Sequence, residues 1–185
     1  MDGVIGRFRV AADGFRARLR SVGDWAAPTP CAEWDVRALV NHVVRGNLNY
    51  AALAGADFLR MRDVDALGDD PHAAFDRSVE VCAAAFDGAL DSVLDYPLGR
   101  IRGTQAIGIR TADTVVHTWD LARAVGGDER LDGNLVAWLD DELDEIYAGL
   151  PETPTSAETT HRFFAAPRGK PGPSAQERLL HRTGR

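Results

Sequence analysis

The chain has 185 residues, a formal net charge of -7, and 45% hydrophobic and 26% charged residues. This length suits one domain with a substantial core, and the composition is globular rather than disordered. The acidic charge argues against nucleic-acid binding, which needs a basic surface. The sequence has neither an apolar stretch near the roughly 20 residues of a membrane span nor a secretory signal, so we expect a cytoplasmic protein without nucleic-acid or membrane partners.

The first half of the chain has apolar residues at helical spacing. They predict one helix over residues 2–22 and a second over 36–58, with a proline-containing loop between them. Asp35 is placed to cap the second helix. A third helix is predicted over 71–93, followed by the loop DYPLGRIRG with room for a short extended piece.

The second half predicts a fourth helix over 104–125, which stops at Gly126 and Gly127. The segment NLVAWLDDELDEIYAGL predicts a fifth helix. From Pro151 onward five prolines predict an irregular tail, with AQERLLHR as a short final helix.

These elements predict an all-α fold built on a bundle of four main helices, each of about 20 residues. We expect the bundle to occupy residues 1–150 and the tail, residues 151–185, to pack on it. The two cysteines, Cys31 and Cys82, form neither a CxxC pattern nor a disulfide framework, and a reducing compartment is the natural interpretation.

The fourth predicted helix contains RTADTVVHTWDLARA, where Asp113 and His117 are four residues apart and share one helix face. Their neighbours on that face are mostly apolar, so a carboxylate and an imidazole should point into the bundle and need partners there. One interpretation is structural, with Asp113 paired to Arg110 and His117 bonded to a carbonyl or an aspartate. A second is a metal site completed by a facing helix, and a third is an acid–base pair without metal.

His42 lies in the second predicted helix, on an apolar stripe where Gly46 follows one turn later and leaves room beside the imidazole. A lone histidine of this kind is usually an ordinary core or boundary residue. The remaining histidines, His72, His161 and His181, lie at a helix start or in the tail and are predicted to be surface residues.

The segments TPCAEWDVRALVNHVVRGN, residues 29–47, and VVHTWDLARAVG, within residues 113–126, resemble the signature of the mycothiol-dependent maleylpyruvate isomerase family. More broadly the chain resembles the DinB-like metal-binding four-helix bundles, and its short tail resembles single-domain actinobacterial members. The isomerases carry a further C-terminal domain, and we expect the contacts of that domain to be absent here.

The resemblance implies a three-ligand metal site formed by His42, Asp113 and His117. The acid is usually Glu in the isomerases, so Asp113 is one methylene shorter. Asp120, three residues after His117, is the candidate for orienting a ligand imidazole, and the alternative is a helix-terminal salt bridge with Arg123.

The implied cofactor is Zn²⁺, or another divalent metal such as Ni²⁺ or Fe²⁺, with mycothiol as the cosubstrate. A metal-bound thiol loses its proton and becomes a nucleophile, which predicts a thiol-dependent transferase or isomerase acting on a small electrophile. Arg45 and Arg110 are candidates for binding an anionic substrate, and no catalytic residue is assigned. The alternative is a non-catalytic metal-binding or dimerising bundle with a structural or vestigial site, and the apolar faces would suit a homodimer.

Overall fold

Helices dominate the computed structural model, which describes residues 3–57, 64–150, 164, 167 and 169–185. In chain order the elements are α1 Val4–Leu19, α2 Val36–Leu53, α3 Pro71–Asp87, β1 Val93–Tyr96, β2 Gly99–Arg102, α4 Gly103–Ala124, α5 Gly133–Ile146 and α6 Ala175–Arg182. The predicted all-α, DinB-like class is confirmed. Within the described ranges, no helix is both long enough and apolar enough to cross a membrane.

The contacts divide the chain into two compact units, Met1–Arg130 and Leu131–Arg185. In the first unit α1 packs against α3 and α4, and α2 also packs against α3 and α4. The four helices therefore form a bundle in which α1 and α2 stand at opposite corners. The predicted division at residue 150 and the packing of the tail stay predictions.

Helix α4 is enclosed on nearly every face. Its buried residues include apolar side chains such as Ile107, Ile109 and Leu121, and also polar ones such as Arg110 and Asp120. A helix that is buried all round belongs to the interior of its fold, and its polar residues must find partners there. Three of the residues that the sequence singled out for chemistry, Arg110, His117 and Asp120, therefore lie inside the bundle.

Side-chain caps explain where two of the helices start. Asp35 accepts a hydrogen bond from the Ala38 backbone N–H at 2.8 Å at the start of α2. Asp70 accepts one from Ala73 at 3.0 Å, just before Pro71 opens α3. Each cap satisfies a backbone donor that the first helical turn leaves without an intrahelical partner.

The third helix is shorter than predicted, because α3 ends at Asp87 and the chain then turns into a hairpin. Strands β1 and β2 pair antiparallel across the predicted loop, with Leu94 opposite Ile101. At Gly103 an added Cβ would lie 1.9 Å from the Ala89 carbonyl oxygen. This close approach of two backbone segments requires a glycine and returns the chain directly into α4.

The second unit contains α5 and α6, which contact each other. Arg178 pairs with Asp140 at 2.5 Å, and Ser174 and Glu177 form a capping box at the start of α6. The prediction of a short helix at AQERLLHR is confirmed. Residues 151–163, including His161, lie outside the described residues, as does Phe58 of the predicted second helix.

Candidate metal centre

Helices α2 and α4 bring His42, Asp113 and His117 together. Asp113 and His117 are one turn apart on α4, and His42 reaches them from α2. The Nε2 atom of His42 lies 3.4 Å from Asp113 Oδ2, and the Nε2 atom of His117 lies 3.5 Å from Asp113 Oδ1. One ligand atom from each of the three residues lies within 4.8 Å of the others.

These separations suit one metal ion bound by all three residues. With metal–ligand bonds of about 2.0–2.1 Å, the ligand atoms of a tetrahedral site stand roughly 3.4 Å apart. Two separations in this cluster, 3.4 and 3.5 Å, are close to this value and end on different oxygens of the Asp113 carboxylate. The side chains of His42 and Asp113 keep 30% and 17% of their surface exposed, so the cluster also reaches the protein surface.

The Nε2 atom of His42 is buried and has no hydrogen-bond partner among the described residues. A buried polar atom without a well-formed hydrogen bond is costly, and a bound ligand would satisfy this one, whose neighbour Asp113 Oδ2 is 3.4 Å away. Burial lowers the pKa of His42, and His117 and Arg110 act in the same direction, although Asp113 opposes them. The imidazole is therefore neutral near pH 7, as metal binding requires.

Asp113 is held by Arg110, whose Nη2 donates to Oδ2 of the carboxylate. Burial alone would raise the pKa of Asp113, but the Arg110 guanidinium and the two imidazoles lower it well below its usual range. The Arg110 side chain is only 2% exposed. The pairing that the structural interpretation predicted is thus present, beside the geometry that a metal would need.

His117 has a second carboxylate on its other ring nitrogen, because Nδ1 lies 2.9 Å from Oδ2 of the fully buried Asp120. Burial would lower the pKa of His117, but Asp113, then Asp120 and Cys31, raise it well above its usual value. A proton on Nδ1 donated to Asp120 leaves Nε2 facing Asp113 and His42. The alternative partner of Asp120 at the helix end, Arg123, pairs with Glu129 instead.

Two residues near the cluster were not assigned to it from the sequence. The Trp34 ring lies 4.6 Å from the His42 ring and 5.7 Å from the His117 ring, measured between centroids. The Sγ atom of Cys31 lies 3.4 Å from Asp120 Oδ2. Both come from the loop before α2, and their presence in the PCAEW motif was the only signal that could have indicated them.

The other residues that the sequence analysis considered lie in different parts of the structure. Arg45 is partly buried on α2, one turn after His42. Arg110 is committed to Asp113 and to Thr114, whose hydroxyl oxygen accepts from its Nε at 3.3 Å. Binding of an anionic substrate by these two arginines stays a prediction. His72 is exposed at the start of α3, as predicted.

Comparison with known proteins identifies the family of the chain. The family model described as "Mycothiol maleylpyruvate isomerase N-terminal domain" matches residues 7–122, which include the three clustered residues. Two uncharacterized proteins from two strains of Mycobacterium tuberculosis are each 36% identical over 127 residues, covering 68% of this chain and 69% of the relative. No solved structure matches the chain. The chain belongs to the mycothiol maleylpyruvate isomerase N-terminal domain family.

Proposed function

We propose that this protein binds a divalent metal, most simply Zn²⁺, through His42, Asp113 and His117, and uses it to activate mycothiol. The thiolate then attacks a small electrophile in a transfer or isomerisation reaction. Ni²⁺ and Fe²⁺ are the alternative metals, since imidazole and carboxylate ligands suit them as well. A reducing cytoplasm, where small thiols stay reduced, is the proposed location.

The buried Nε2 atom of His42 carries this proposal. It has no hydrogen-bond partner within the described part of the chain, and it faces a carboxylate oxygen 3.4 Å away. A histidine placed only for packing would be expected to bond a carbonyl or a hydroxyl. A metal ion between His42, Asp113 and His117 would satisfy the buried nitrogen and the carboxylate together.

The residues around the cluster support the same role. Asp120 accepts from His117 Nδ1 and so keeps Nε2 directed at the ligand position. Because the carboxylates raise the pKa of His117, metal binding would displace a proton from Nε2. Trp34 lies against both imidazoles, while the side chains of His42 and Asp113 keep part of their surface exposed.

Three protein ligands leave at least one coordination position for a small molecule, which is typical of catalytic rather than structural zinc sites. A bound divalent metal supplies a positive charge that deprotonates a coordinated thiol near neutral pH. The family description names mycothiol, and this is the thiol we propose. The electrophile is expected to be small, because it must reach a cluster that is only partly open.

Metal content tests the first half of the proposal. The untagged protein, purified without chelator, is analysed by inductively coupled plasma mass spectrometry beside His42→Ala and His117→Ala. The matched control is His72→Ala, which removes an exposed imidazole from α3. We expect near-stoichiometric metal in the parent protein and the control, and its loss in both site variants. A parent protein that stays metal-free after reconstitution would refute the proposal.

Thiol binding tests the second half. In the Co²⁺-substituted protein, mycothiol is titrated while the near-ultraviolet absorption is followed, because a thiolate bound to cobalt gives a sulfur-to-metal charge-transfer band. We expect the band to saturate in the parent protein and to be absent in His42→Ala. A cobalt protein that never develops the band would favour the non-catalytic, metal-binding bundle instead.

A further inference from the structure

We infer that Arg110, held in a notch at Gly46, is a positioning residue that makes the metal centre select an anionic ligand over a neutral one. The inference rests on the proposed metal function and says which chemical class of ligand the open position takes. Arg110 acts through Asp113, whose carboxylate it holds and whose charge it offsets.

The notch is a contact between Gly46 of α2 and the Arg110 guanidinium of α4, which a side chain at position 46 would displace. A Cβ built on Gly46 would lie 1.8 Å from Arg110 Nη1 and 2.9 Å from its Cζ. Real Cβ atoms do not approach other atoms so closely, so the guanidinium occupies the space where a side chain of α2 would otherwise lie. Gly46 follows His42 by one turn, and the notch therefore lies beside the metal ligands.

Other contacts fix the guanidinium in the notch. The Thr114 hydroxyl oxygen accepts from Arg110 Nε at 3.3 Å and from Nη2 at 3.2 Å. The Arg110 Cζ atom lies 5.9 Å from the centre of the Tyr50 ring, within the range of a cation–π contact. The Tyr50 hydroxyl lies 3.0 Å from that of Tyr96 on β1. The remaining contact, from Nη2, goes to Oδ2 of Asp113.

This arrangement changes the net charge of the residues around a bound metal. A carboxylate shared with a guanidinium donates less electron density to a metal and offsets less of its charge. Asp113 and Arg110 have opposite charges, and Asp120, which pairs with His117, brings the sum of the formal charges of these three residues to -1. A divalent metal would then leave a net charge of about +1, and a single monoanion, such as a thiolate, would cancel it.

The test compares how tightly an anionic and a neutral small molecule bind at the coordination position that the three protein ligands leave open. Co²⁺ is loaded into the parent protein and into Arg110→Met, Arg110→Gln and Arg110→Lys, and azide and imidazole are titrated by visible absorption. Cobalt affinity is measured separately by competition with a chromophoric chelator. The matched control is Arg123→Met, which makes the same change on an exposed arginine of the same helix.

Arg110→Met and Arg110→Gln should bind cobalt about 3–10-fold more tightly, because Asp113 is then free to donate fully, and should bind azide about tenfold more weakly. Imidazole affinity should change less than about twofold, since imidazole is neutral. Arg110→Lys, which keeps the charge, should retain most of the azide affinity, and Arg123→Met should match the parent protein. In the neutral variants cobalt affinity should rise while azide affinity falls. A purely structural role for Arg110 would not change the two affinities in opposite directions.

Three results would overturn the inference. In the first, azide affinity is unchanged in both neutral variants. In the second, cobalt, azide and imidazole all bind more weakly together, which is what disruption of the fold would produce. In the third, the parent protein binds no cobalt, and then the proposed metal function fails as well. The first two outcomes leave the metal function intact, so the two failures are distinguishable.

Discussion

Replacing Gly46 with alanine tests the packing of α4 against α2 without changing any charge. In a helix interior, Gly→Ala ordinarily stabilises a protein by about 1 kcal/mol. Here the new Cβ would lie 1.8 Å from Arg110 Nη1, so the guanidinium has to move. The cost combines overpacking, about 1–3 kcal/mol, with part of the roughly 3–5 kcal/mol lost when a buried ion pair is broken. We expect Gly46→Ala to lower the free energy of unfolding by about 2–4 kcal/mol.

Gly14 in α1 provides the matched control. It also lies within a helix, but a Cβ added there would meet only Thr118 Cγ2 at 3.8 Å, an ordinary van der Waals contact. Gly14→Ala should therefore stabilise the protein by about 0.5–1 kcal/mol. Gly→Ala is thus expected to lower the free energy of unfolding at position 46 and to raise it at position 14.

Urea denaturation followed by circular dichroism, in the presence of a chelator, measures both changes as free energies of unfolding. The same Gly46→Ala change is then made in an Arg110→Ala background, where the clashing side chain is gone. There the cost should fall to within about 1 kcal/mol of zero, which shows that the two positions are coupled. Equal stability of Gly46→Ala and the parent protein, or an equal cost in both backgrounds, would refute the reasoning about the notch.

Three further predictions concern Asp120, Asp113 and the two cysteines. Asp120→Asn should weaken metal binding about 10–100-fold, measured by chelator competition, because His117 loses the carboxylate that fixes its tautomer; an unchanged affinity would contradict this role. In the metal-free protein, the depressed pKa of Asp113 contributes stability that is present above the ordinary value of 3.8 and is lost as the pH falls through the folded-state pKa. As the pH is lowered from about 5 to about 2, urea midpoints should therefore fall more steeply for the parent protein than for Asp113→Asn, and parallel curves would disprove it. Burial raises the pKa of Cys82 to about 12, so native iodoacetamide labelling followed by peptide mass spectrometry should modify Cys31 before Cys82.

Much of the fold follows from local patterns in the sequence. The spacing of apolar residues placed α4 within one residue at each end, and the capping role of Asp35 follows from its position before an apolar run. The sequence pattern allows only for a short extended piece where the hairpin forms, and it continues α3 beyond Asp87. Both differences arise at Gly103, where the close approach to Ala89 depends on tertiary structure rather than on local preference.

Part of the candidate site could likewise be predicted from the sequence, and part of it depends on how the helices pack. That Asp113 and His117 share a helix face follows from their spacing alone, whereas His42 was connected to them only through the resemblance to a family. The room beside His42 at Gly46 was visible in the sequence, but its occupant was not, because Arg110 is 64 positions further along and its rotamer depends on how the helices pack. Cys31 and Trp34 lie in a loop, whose path local patterns do not determine.

The enclosed position of α4 has a consequence for how the protein is made. This helix is the last of the four to leave the ribosome, yet both α1 and α2 pack against it. At about 5–20 residues per second, the nascent chain spends several seconds with the inner faces of its first helices uncovered. During that interval His42 has emerged while Asp113 and His117 have not, so the three-residue cluster forms only after α4 has been made. If the proposed function is right, metal can therefore be bound by all three residues only after α4 has been synthesised.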